Sequence, residues 1–211
     1  MMHHADRDTW DKDYSKRGNL WSGAVHALPV LPAFSRVLEL GCGNGKTLAG
    51  MIPCGWDVVA TDFSLAAVSL SRKAVRGDSS CTVVLSDARF SPFCSESFDA
   101  IFAWHILGHL TKLDRILSVF EITRILRPGG YIFFSEFSEE DFRFGKGAQI
   151  EPGTFIRGNG IRTHYFTMDE VRDLFTCFDE ESLGDRAWTM RIRGNDFVRS
   201  EIKAVFAKRG R

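Results

Sequence analysis

Three glycines alternate with other residues at the end of a short apolar segment. Val37–Gly45 reads VLELGCGNG, so Glu39 lies two residues before the first glycine. Glycine lets the main chain turn tightly and lets a ligand reach backbone amides that a Cβ would cover. A helix that begins directly afterwards, over Lys46–Met51, would direct its free N–H groups toward a nucleotide-like ligand. The segment therefore predicts a cofactor-binding loop.

The glycine spacing narrows the class of ligand. Dinucleotide-binding loops use the pattern G-x-G-x-x-G, but the position that would complete this pattern from Gly41 and Gly43 is Lys46. The Glu39 carboxylate would repel a pyrophosphate and attract a cation, because charges interact strongly at close range in a partly dry site. We therefore expect a ligand that carries an amino group or a sulfonium.

The composition is typical of a soluble enzyme. The 211 residues are 44% hydrophobic, and 27 basic side chains balance 27 acidic ones. This length predicts one domain, and zero net charge argues against whole-domain attraction to nucleic acid or anionic membrane. The five cysteines are scattered, so neither a disulfide framework nor a metal site is expected. No apolar run reaches the roughly 20 residues that span a bilayer, and a cytoplasmic protein is predicted.

Apolar strand-like runs alternate with amphipathic helical ones, which predicts a parallel sheet covered by helices on both faces. The predicted strands are 36–40, 57–61, 82–86, 98–103 and 130–136, followed by 187–193 and 201–208 around a turn at Gly194–Asp196. Ser64, Thr111 and Thr167 have the residue type and position of helix N-caps.

Two flanking segments are predicted to close the site. In the N-terminal arm, residues 1–35, Trp10 and Tyr14 are four apart and would share one helical face. Residues 137–166 hold several glycines with little periodicity, as binding loops often do. We interpret this segment as a lid over the acceptor, within a single domain that covers residues 1–211.

The chain from about residue 10 to 208 resembles the class I S-adenosylmethionine-dependent methyltransferases. Four motifs carry the resemblance in addition to the glycine loop: Val58–Ser64, Leu85–Ala88, Ser97–Trp104 and the Pro-Gly-Gly turn in Ile125–Tyr131. The resemblance implies a Rossmann-like α/β three-layer sandwich. Its mostly parallel seven-stranded sheet would have the strand order 3-2-1-4-5-7-6 and an antiparallel last strand.

The resemblance also implies the cofactor S-adenosylmethionine, the product S-adenosylhomocysteine and the residues that bind them. Asp62 would accept hydrogen bonds from the ribose hydroxyls, Asp87 would take the adenine amino group, and Tyr14 and Trp21 would cover the cofactor. The implied cofactor-binding residues are Tyr14, Trp21, Glu39, Gly41, Cys42, Gly43, Asn44, Asp62, Phe63, Ser64, Asp87, Ala88 and Ala103. Each also has a structural alternative, such as a tight turn or a helix-capping acid.

The acceptor is harder to predict, because methyl transfer from a sulfonium needs mainly alignment and desolvation. Methyltransferases that act on the amino groups of adenine or glutamine resemble one another in an Asn/Asp-Pro-Pro-Tyr/Phe stretch after strand four, where this chain has Ala103–Ile106. Cytosine-C5 enzymes have a Pro-Cys nucleophile at the same location, and no Pro-Cys pair lies there. Both subclasses are therefore disfavoured. His105, His164 and Tyr165 are the candidate catalytic residues. Each of them could instead be structural. Further polar residues expected near the acceptor have the same two interpretations: His109, Arg162, Glu136 and Glu139.

A small molecule is the acceptor that we expect from the sequence, because no appended RNA-binding module is present. RNA or a protein side chain is the alternative, and a non-catalytic subunit that activates a partner is a third. Residues 186–211 hold eight basic and two acidic residues. This stretch indicates either an anionic or RNA acceptor or a solvated strand face, and nucleic acid is not the favoured partner.

Overall fold

The computed structural model describes residues 3–17 and 27–210, which form ten strands. The strands are β1 (Arg36–Leu40), β2 (Asp57–Asp62), β3 (Cys81–Leu85), β4 (Phe98–Trp104), β5 (Leu126–Phe137), β6 (Ala148–Glu151), β7 (Thr154–Ile156), β8 (Arg162–His164), β9 (Phe178–Ile192) and β10 (Asn195–Lys208).

Seven of these strands form the central sheet, in the order β3-β2-β1-β4-β5-β10-β9. The first five run parallel, whereas β10 is antiparallel to β5 and β9 is antiparallel to β10. If only the seven strands of this sheet are numbered along the chain, β9 and β10 become strands 6 and 7, and the order is 3-2-1-4-5-7-6. The predicted fold class is confirmed, including the antiparallel last strand.

Five α-helices connect the strands: α1 (His3–Arg17), α2 (Leu48–Met51), α3 (Leu65–Ala74), α4 (Lys112–Ile125) and α5 (Met168–Leu174). The three predicted N-caps are confirmed, because Ser64, Thr111 and Thr167 each accept a backbone N–H bond from three residues ahead. Among the described residues, no helix has the length and apolar character needed to cross a membrane.

The core has two layers because successive side chains of a strand point to opposite faces of the sheet. Leu38 of β1 packs in one layer with side chains of α4, α5 and β10, whereas Val37 packs in the other with Trp56 and Val68 of α3. Both residues are fully buried. The central strands are thus apolar on both faces, as parallel strands covered by helices must be.

The structure differs from the sequence predictions in three places. The segment 137–166 contains an antiparallel sheet of order β6-β7-β8, whose strands of three or four residues are too short to show periodicity. The helix after the glycine loop is only the four residues of α2, and a 3-10 turn containing Pro53 follows it. The last two strands are longer than predicted and join at Arg193-Gly194, both with positive φ, as a two-residue hairpin requires.

Candidate functional site

A cavity opens at the carboxyl ends of β1, β2 and β4, where ligands bind in open α/β sheets. Its wall combines the glycine loop, the ends of these strands, the loop after β3 and one face of α1. The lining residues are Asp6, Trp10, Tyr14, Gly41, Thr61, Asp62, Phe63, Ser86, Asp87, Ala88, Arg89, His105, Ile106, His109, Leu110 and Asp114.

Asp62 fixes the glycine loop relative to the start of α3. Its Oδ2 accepts the Gly43 N–H at 3.0 Å, and its Oδ1 accepts the Ser64 N–H at 2.9 Å. Burial raises the pKa of this carboxyl to about 6, and the two N–H donors oppose that rise. Each oxygen has a second lone pair, so the buried carboxylate remains able to accept hydrogen bonds from a ligand.

Tyr14 of α1 lies against the glycine loop. A Cβ added at Gly43, whose φ is +56°, would lie 2.7 Å from the Tyr14 hydroxyl. Only glycine therefore allows this close approach of the phenol to the main chain. Burial, and then the nearby Asp62 carboxylate, raise the pKa of Tyr14 well above its ordinary value. The hydroxyl therefore stays protonated and can donate a hydrogen bond.

Glu39 is buried at the end of β1, beside the same loop. Burial raises the pKa of this carboxyl to about 8, although a hydrogen bond with the Thr47 side chain opposes the rise. Within the described parts of the chain, its Oε2 is buried and has no hydrogen-bond partner. A buried acceptor without a donor is costly, and an ammonium group would satisfy it. The acid therefore fits the amino group of S-adenosylmethionine.

Asp87 lines the cavity but is engaged by its own chain. Its Oδ1 accepts bonds from Arg89 N at 3.0 Å and Arg89 Nε at 2.8 Å, and Arg89 Nη1 also reaches Asp114 Oδ1 at 3.0 Å. The carboxylate predicted to take the adenine amino group thus belongs to an Asp87–Arg89–Asp114 network. The sequence analysis missed Arg89, for which the only available signal was its spacing two residues after Asp87.

Helix α1 forms the outer wall. Asp6, Trp10 and Tyr14 are four residues apart and all face the cavity, which confirms the shared helical face predicted for the last two. The Trp10 and Tyr14 rings stack with centroids 5.6 Å apart. On the neighbouring face, Asp11 accepts bonds from the Ser64 hydroxyl and from Ala66 N, which ties α1 to the start of α3.

His105 follows β4 and lies between two buried carboxylates. Its Nδ1 is 3.8 Å from Glu136 Oε2, and its Nε2 is 3.5 Å from Glu201 Oε2. The imidazole stacks on Phe137 with the ring centroids 4.5 Å apart. Ile106, the next residue, packs against Gly41, so this group of side chains adjoins the cofactor loop.

His109 lines the cavity as a neutral side chain. Its Nδ1 is 2.7 Å from the Arg162 carbonyl oxygen, which can only accept, so Nδ1 carries the proton. Trp10 meets its ring edge-on at 4.8 Å between centroids. Desolvation is the main cause that lowers the pKa of His109 to about 4, which is the environment of a structural histidine.

The structure places two of the predicted catalytic residues away from this cavity. His164 is buried between Thr154 Oγ1 at 2.8 Å and Glu170 Oε2 at 2.7 Å, so it links β7 to α5. Tyr165 is buried in an aromatic cluster with Phe144 and Phe155. Both therefore have the contacts of packing residues, because the expected lid is a folded sheet and turns them inward.

The predicted cofactor residues divide into two groups. Tyr14, Gly41, Asp62, Phe63, Asp87 and Ala88 line the cavity together with His105. Glu39, Cys42, Gly43, Asn44, Ser64 and Ala103 are outside that lining, and all of them except the half-buried Asn44 are buried. Trp21 lies outside the described residues. The sequence analysis missed Leu110 and Asp114, which belong to the cavity only because the segment after β4 folds back toward α1.

Comparisons with known proteins identify the family. Residues 38–134 match a family model described as a methyltransferase domain. The chain is 32% identical over 160 residues to the tRNA N(3)-cytidine methyltransferase METTL2 of Gallus gallus, covering 70% of this chain and 43% of that protein. It is 30% identical, over an alignment 230 positions long, to the tRNA N(3)-methylcytidine methyltransferase Mettl2 of Drosophila melanogaster. This alignment covers 94% of this chain and 70% of the fly protein.

A solved structure shows the same fold. An S-adenosylmethionine-dependent methyltransferase of Methanosarcina mazei superposes with a TM-score of 0.71 at 23% identity, covering 86% of this chain and 96% of that one. The chain spans less than half the length of the first vertebrate relatives, 43% of the chicken protein and 47% of the zebrafish protein.

The expectation of a small-molecule acceptor, with nucleic acid not favoured, is wrong. The relatives from chicken, zebrafish and fly are all named for cytidine in tRNA. The sequence motifs could not show this, because they describe the cofactor loop and the sheet, which small-molecule and RNA enzymes of this fold share.

Substitution of Asp62 tests the cofactor half of the site. We expect Asp62→Asn to weaken binding of S-adenosylhomocysteine by about 10- to 100-fold, because charged hydrogen bonds to the ligand and the support of Gly43 are both lost. Titration calorimetry measures the affinity. Asp57→Asn is the matched control, because Asp57 is an exposed residue at the opposite end of the same strand. Equal affinities of Asp62→Asn and the wild type would refute this assignment.

The environment of His109 predicts how stability depends on pH. Its pKa is about 4 when folded, against an ordinary 6.5, so the unfolded chain binds the proton more readily between these values. The stability contributed at this residue is therefore lost as pH falls from 6.5 toward 4. Between pH 7 and pH 5 we expect the wild type to lose about 2 kcal/mol relative to His109→Gln. Urea unfolding measures this difference, and a pH-independent difference would contradict the prediction.

Proposed function

The chain belongs to the class I S-adenosylmethionine-dependent methyltransferases, and from this membership we propose that it methylates N3 of a cytidine in RNA. The relatives named for tRNA support the acceptor class. The structural support is a cationic and aromatic surface that begins at His105 and continues away from the cofactor loop.

The cofactor half of the site fits this reaction. When bound, S-adenosylmethionine supplies an electrophilic methyl group on a positively charged sulfur. Asp62 would hold the ribose, Glu39 the amino group, and Tyr14 would cover the loop at Gly43. These residues orient the cofactor and exclude water, which is most of what an activated methyl donor requires of a protein.

The β9–β10 hairpin provides the reach that an RNA acceptor needs. β10 pairs with β5 over Glu201–Ala207, whereas residues 195–200 lie past the end of β5 and pair with β9. On their other side the Ser138 and Phe142 N–H groups donate to the Ser200 and Val198 carbonyls. The outer half of the hairpin therefore projects beyond the sheet edge. It carries the exposed side chains of Arg191 and Arg193, and the exposed Arg186 lies at its base, opposite Glu201; cations at such spacing suit a phosphate backbone.

Cations also stack on aromatic rings at the base of the hairpin. The Arg143 and Arg199 guanidinium carbons lie 3.9 and 4.5 Å from the Phe137 ring centroid. Arg199 is also 5.5 Å from the Trp188 ring, and Lys146 Nζ is 4.6 Å from the Phe142 ring. Asp141, which is buried, pairs with Arg143 and Arg199 and holds them in place.

Phe137 joins this surface to the reaction centre, and this contact is the observation that carries the proposal. Its ring contacts the His105 imidazole and both arginines. Single-stranded RNA is recognised by aromatic and guanidinium stacking of its bases together with cations on its backbone. A nucleotide whose neighbours lie on this surface can place its base beside His105.

Incubation of the protein with RNA tests the acceptor directly. Purified protein, methyl-labelled S-adenosylmethionine and total tRNA would be incubated, and the RNA digested to nucleosides for mass spectrometry. We expect labelled N3-methylcytidine, and about 10- to 100-fold less of it with Asp62→Asn when S-adenosylmethionine is kept below its KM, because cofactor binding is weakened to that extent. Label in another nucleoside, or in no RNA at all, would overturn the proposal.

Removal of hairpin charge tests the RNA path. We expect Arg191→Gln/Arg193→Gln to raise the KM for RNA about 5- to 20-fold and to reduce the salt dependence of binding, because about two phosphate contacts are lost. The kcat should stay within about twofold, since neither residue lines the cavity. Lys73→Gln/Arg76→Gln is the matched control, because these two exposed cations lie on or just after α3. An equal effect of the two double variants would exclude a specific path along the hairpin.

A further inference from the structure

The carboxylates on either side of His105 are not among the residues that line the cavity. Glu136 and Glu201 lie on neighbouring strands, β5 and β10, and are 2% and 3% exposed. Ser135 and Glu136 are adjacent in β5, so their side chains leave opposite faces of the sheet. Because the Ser135 hydroxyl donates to Glu201 Oε2 at 3.3 Å, the two carboxylates approach His105 from different faces.

In each glutamate, Oε1 has contacts with the surrounding structure and Oε2 is directed toward the imidazole. Glu136 Oε1 accepts the Gly108 N–H at 2.8 Å. Glu201 Oε1 lies 3.2 Å from Lys203 Nζ and 4.0 Å from Arg186 Nη1. These contacts of Oε1 fix each carboxylate, so that the Oε2 atoms of Glu136 and Glu201 lie beside the His105 ring nitrogens.

Gly108 and the His105 backbone maintain this geometry. A Cβ at Gly108 would lie 2.7 Å from Glu136 Oε2, so a larger residue would displace the carboxylate. His105 has a φ of +54°, and its N–H donates to the Ser135 carbonyl at 2.8 Å. A left-handed conformation is unfavourable for histidine and persists where the surroundings fix it. Here it directs the ring over Phe137 and between the carboxylates.

The charge balance of the proposed reaction indicates what two carboxylates beside the base could do. Cytosine N3 donates its lone pair to the methyl carbon, the carbon–sulfur bond breaks, and its electron pair stays on sulfur. Both hydrogens of the amino group remain, so no proton is released and no general base is needed. The positive charge of the sulfonium is transferred to the base, where N3 and the exocyclic amino group share it.

We propose that His105, Glu136 and Glu201 form an acceptor subsite that faces the amino group of the base, leaves the N3 lone pair directed at the methyl group, and stabilises the positive charge which methylation creates on N3 and the amino group. This inference rests on the proposed function. His105 is the member that lines the cavity, and the two glutamates act on the base through it, as positioning residues. Preorganised charge in a site closed to water stabilises developing charge more strongly than water does.

The cations near this subsite pair with other oxygen atoms. Arg143 and Arg199 pair with Asp141, and Lys203 reaches the other oxygen of Glu201. Burial raises the pKa of Glu136 to about 7, and His105, the Gly108 N–H and Arg115 of α4 oppose this rise. Arg115 also lies 3.5 Å from Glu170. The imidazole thus experiences two carboxylates at close range and the cations beyond them.

Binding of nucleosides provides a test that does not depend on turnover. In the presence of S-adenosylhomocysteine, calorimetry would compare 3-methylcytidine, which is cationic at pH 7, with cytidine and with the neutral 3-methyluridine. We expect the wild type to prefer 3-methylcytidine to both by about 10-fold or more, the scale of one close opposite charge. Glu136→Gln should reduce this preference to within about twofold, because the amide still accepts the Gly108 N–H and only the charge is lost.

Control variants separate charge from folding and from the proposed function itself. Glu201→Gln removes the other carboxylate and should reduce the preference in the same direction, whereas Glu139→Gln changes an exposed acid and should have no effect. The kcat on RNA should fall about 10- to 100-fold in Glu136→Gln with the KM for S-adenosylmethionine unchanged. An unaltered preference and kcat in both buried variants would overturn the subsite, while formation of N3-methylcytidine by the wild type would still support the proposed function.

Discussion

Burial of carboxylates at one edge of the sheet is the constraint on which the rest of the site depends. Glu39, Asp62, Glu136 and Glu201 all lie at that edge and are all buried. Desolvation raises the pKa of the first three, which means that the folded protein bears an electrostatic cost there. Backbone N–H groups offset part of this cost, and a cation next to the carboxylates offsets more. The site is thereby suited to positively charged ligands: a sulfonium cofactor before methyl transfer and, in the proposed reaction, a methylated base after it.

Helix α1 connects the two halves of this edge. Through Asp11 it contacts the Ser64 cap on the cofactor side, and through Trp10 it contacts His109 on the other side. Asp6 adds an ion pair to Arg162 of β8 at 3.2 Å. Because Tyr14 of the same helix covers Gly43, any displacement of α1 that admits a ligand also alters the wall near the acceptor. The cofactor loop and the surroundings of His109 thus share one helix as a wall.

The cofactor half could be predicted from the sequence because its determinants are local. The glycine spacing, Asp62 at the end of a strand and the three N-caps are short patterns, and each is satisfied by contacts within a few residues or with the adjacent strand. Asp87 shows where this approach fails. Its position was predicted correctly, but its pairing with Arg89 and Asp114 depends on where α4 begins in space, which no local pattern specifies.

The acceptor half could not be predicted because it is assembled from distant segments. His105 follows β4, whereas Glu136 and Glu201 lie on β5 and β10, and the order in which these strands meet decides whether the side chains approach. The basic C-terminal stretch shows the same dependence on placement. Lys208 donates to the carbonyls of Thr123 and Leu126, and Arg209 pairs with Asp179, so part of its charge serves the fold. In the described part of this stretch, Arg191 and Arg193 are exposed and lie past the end of β5, and Arg191 also pairs with Asp196 at 3.8 Å. For the RNA path that we propose, the position of the charge therefore matters more than its total.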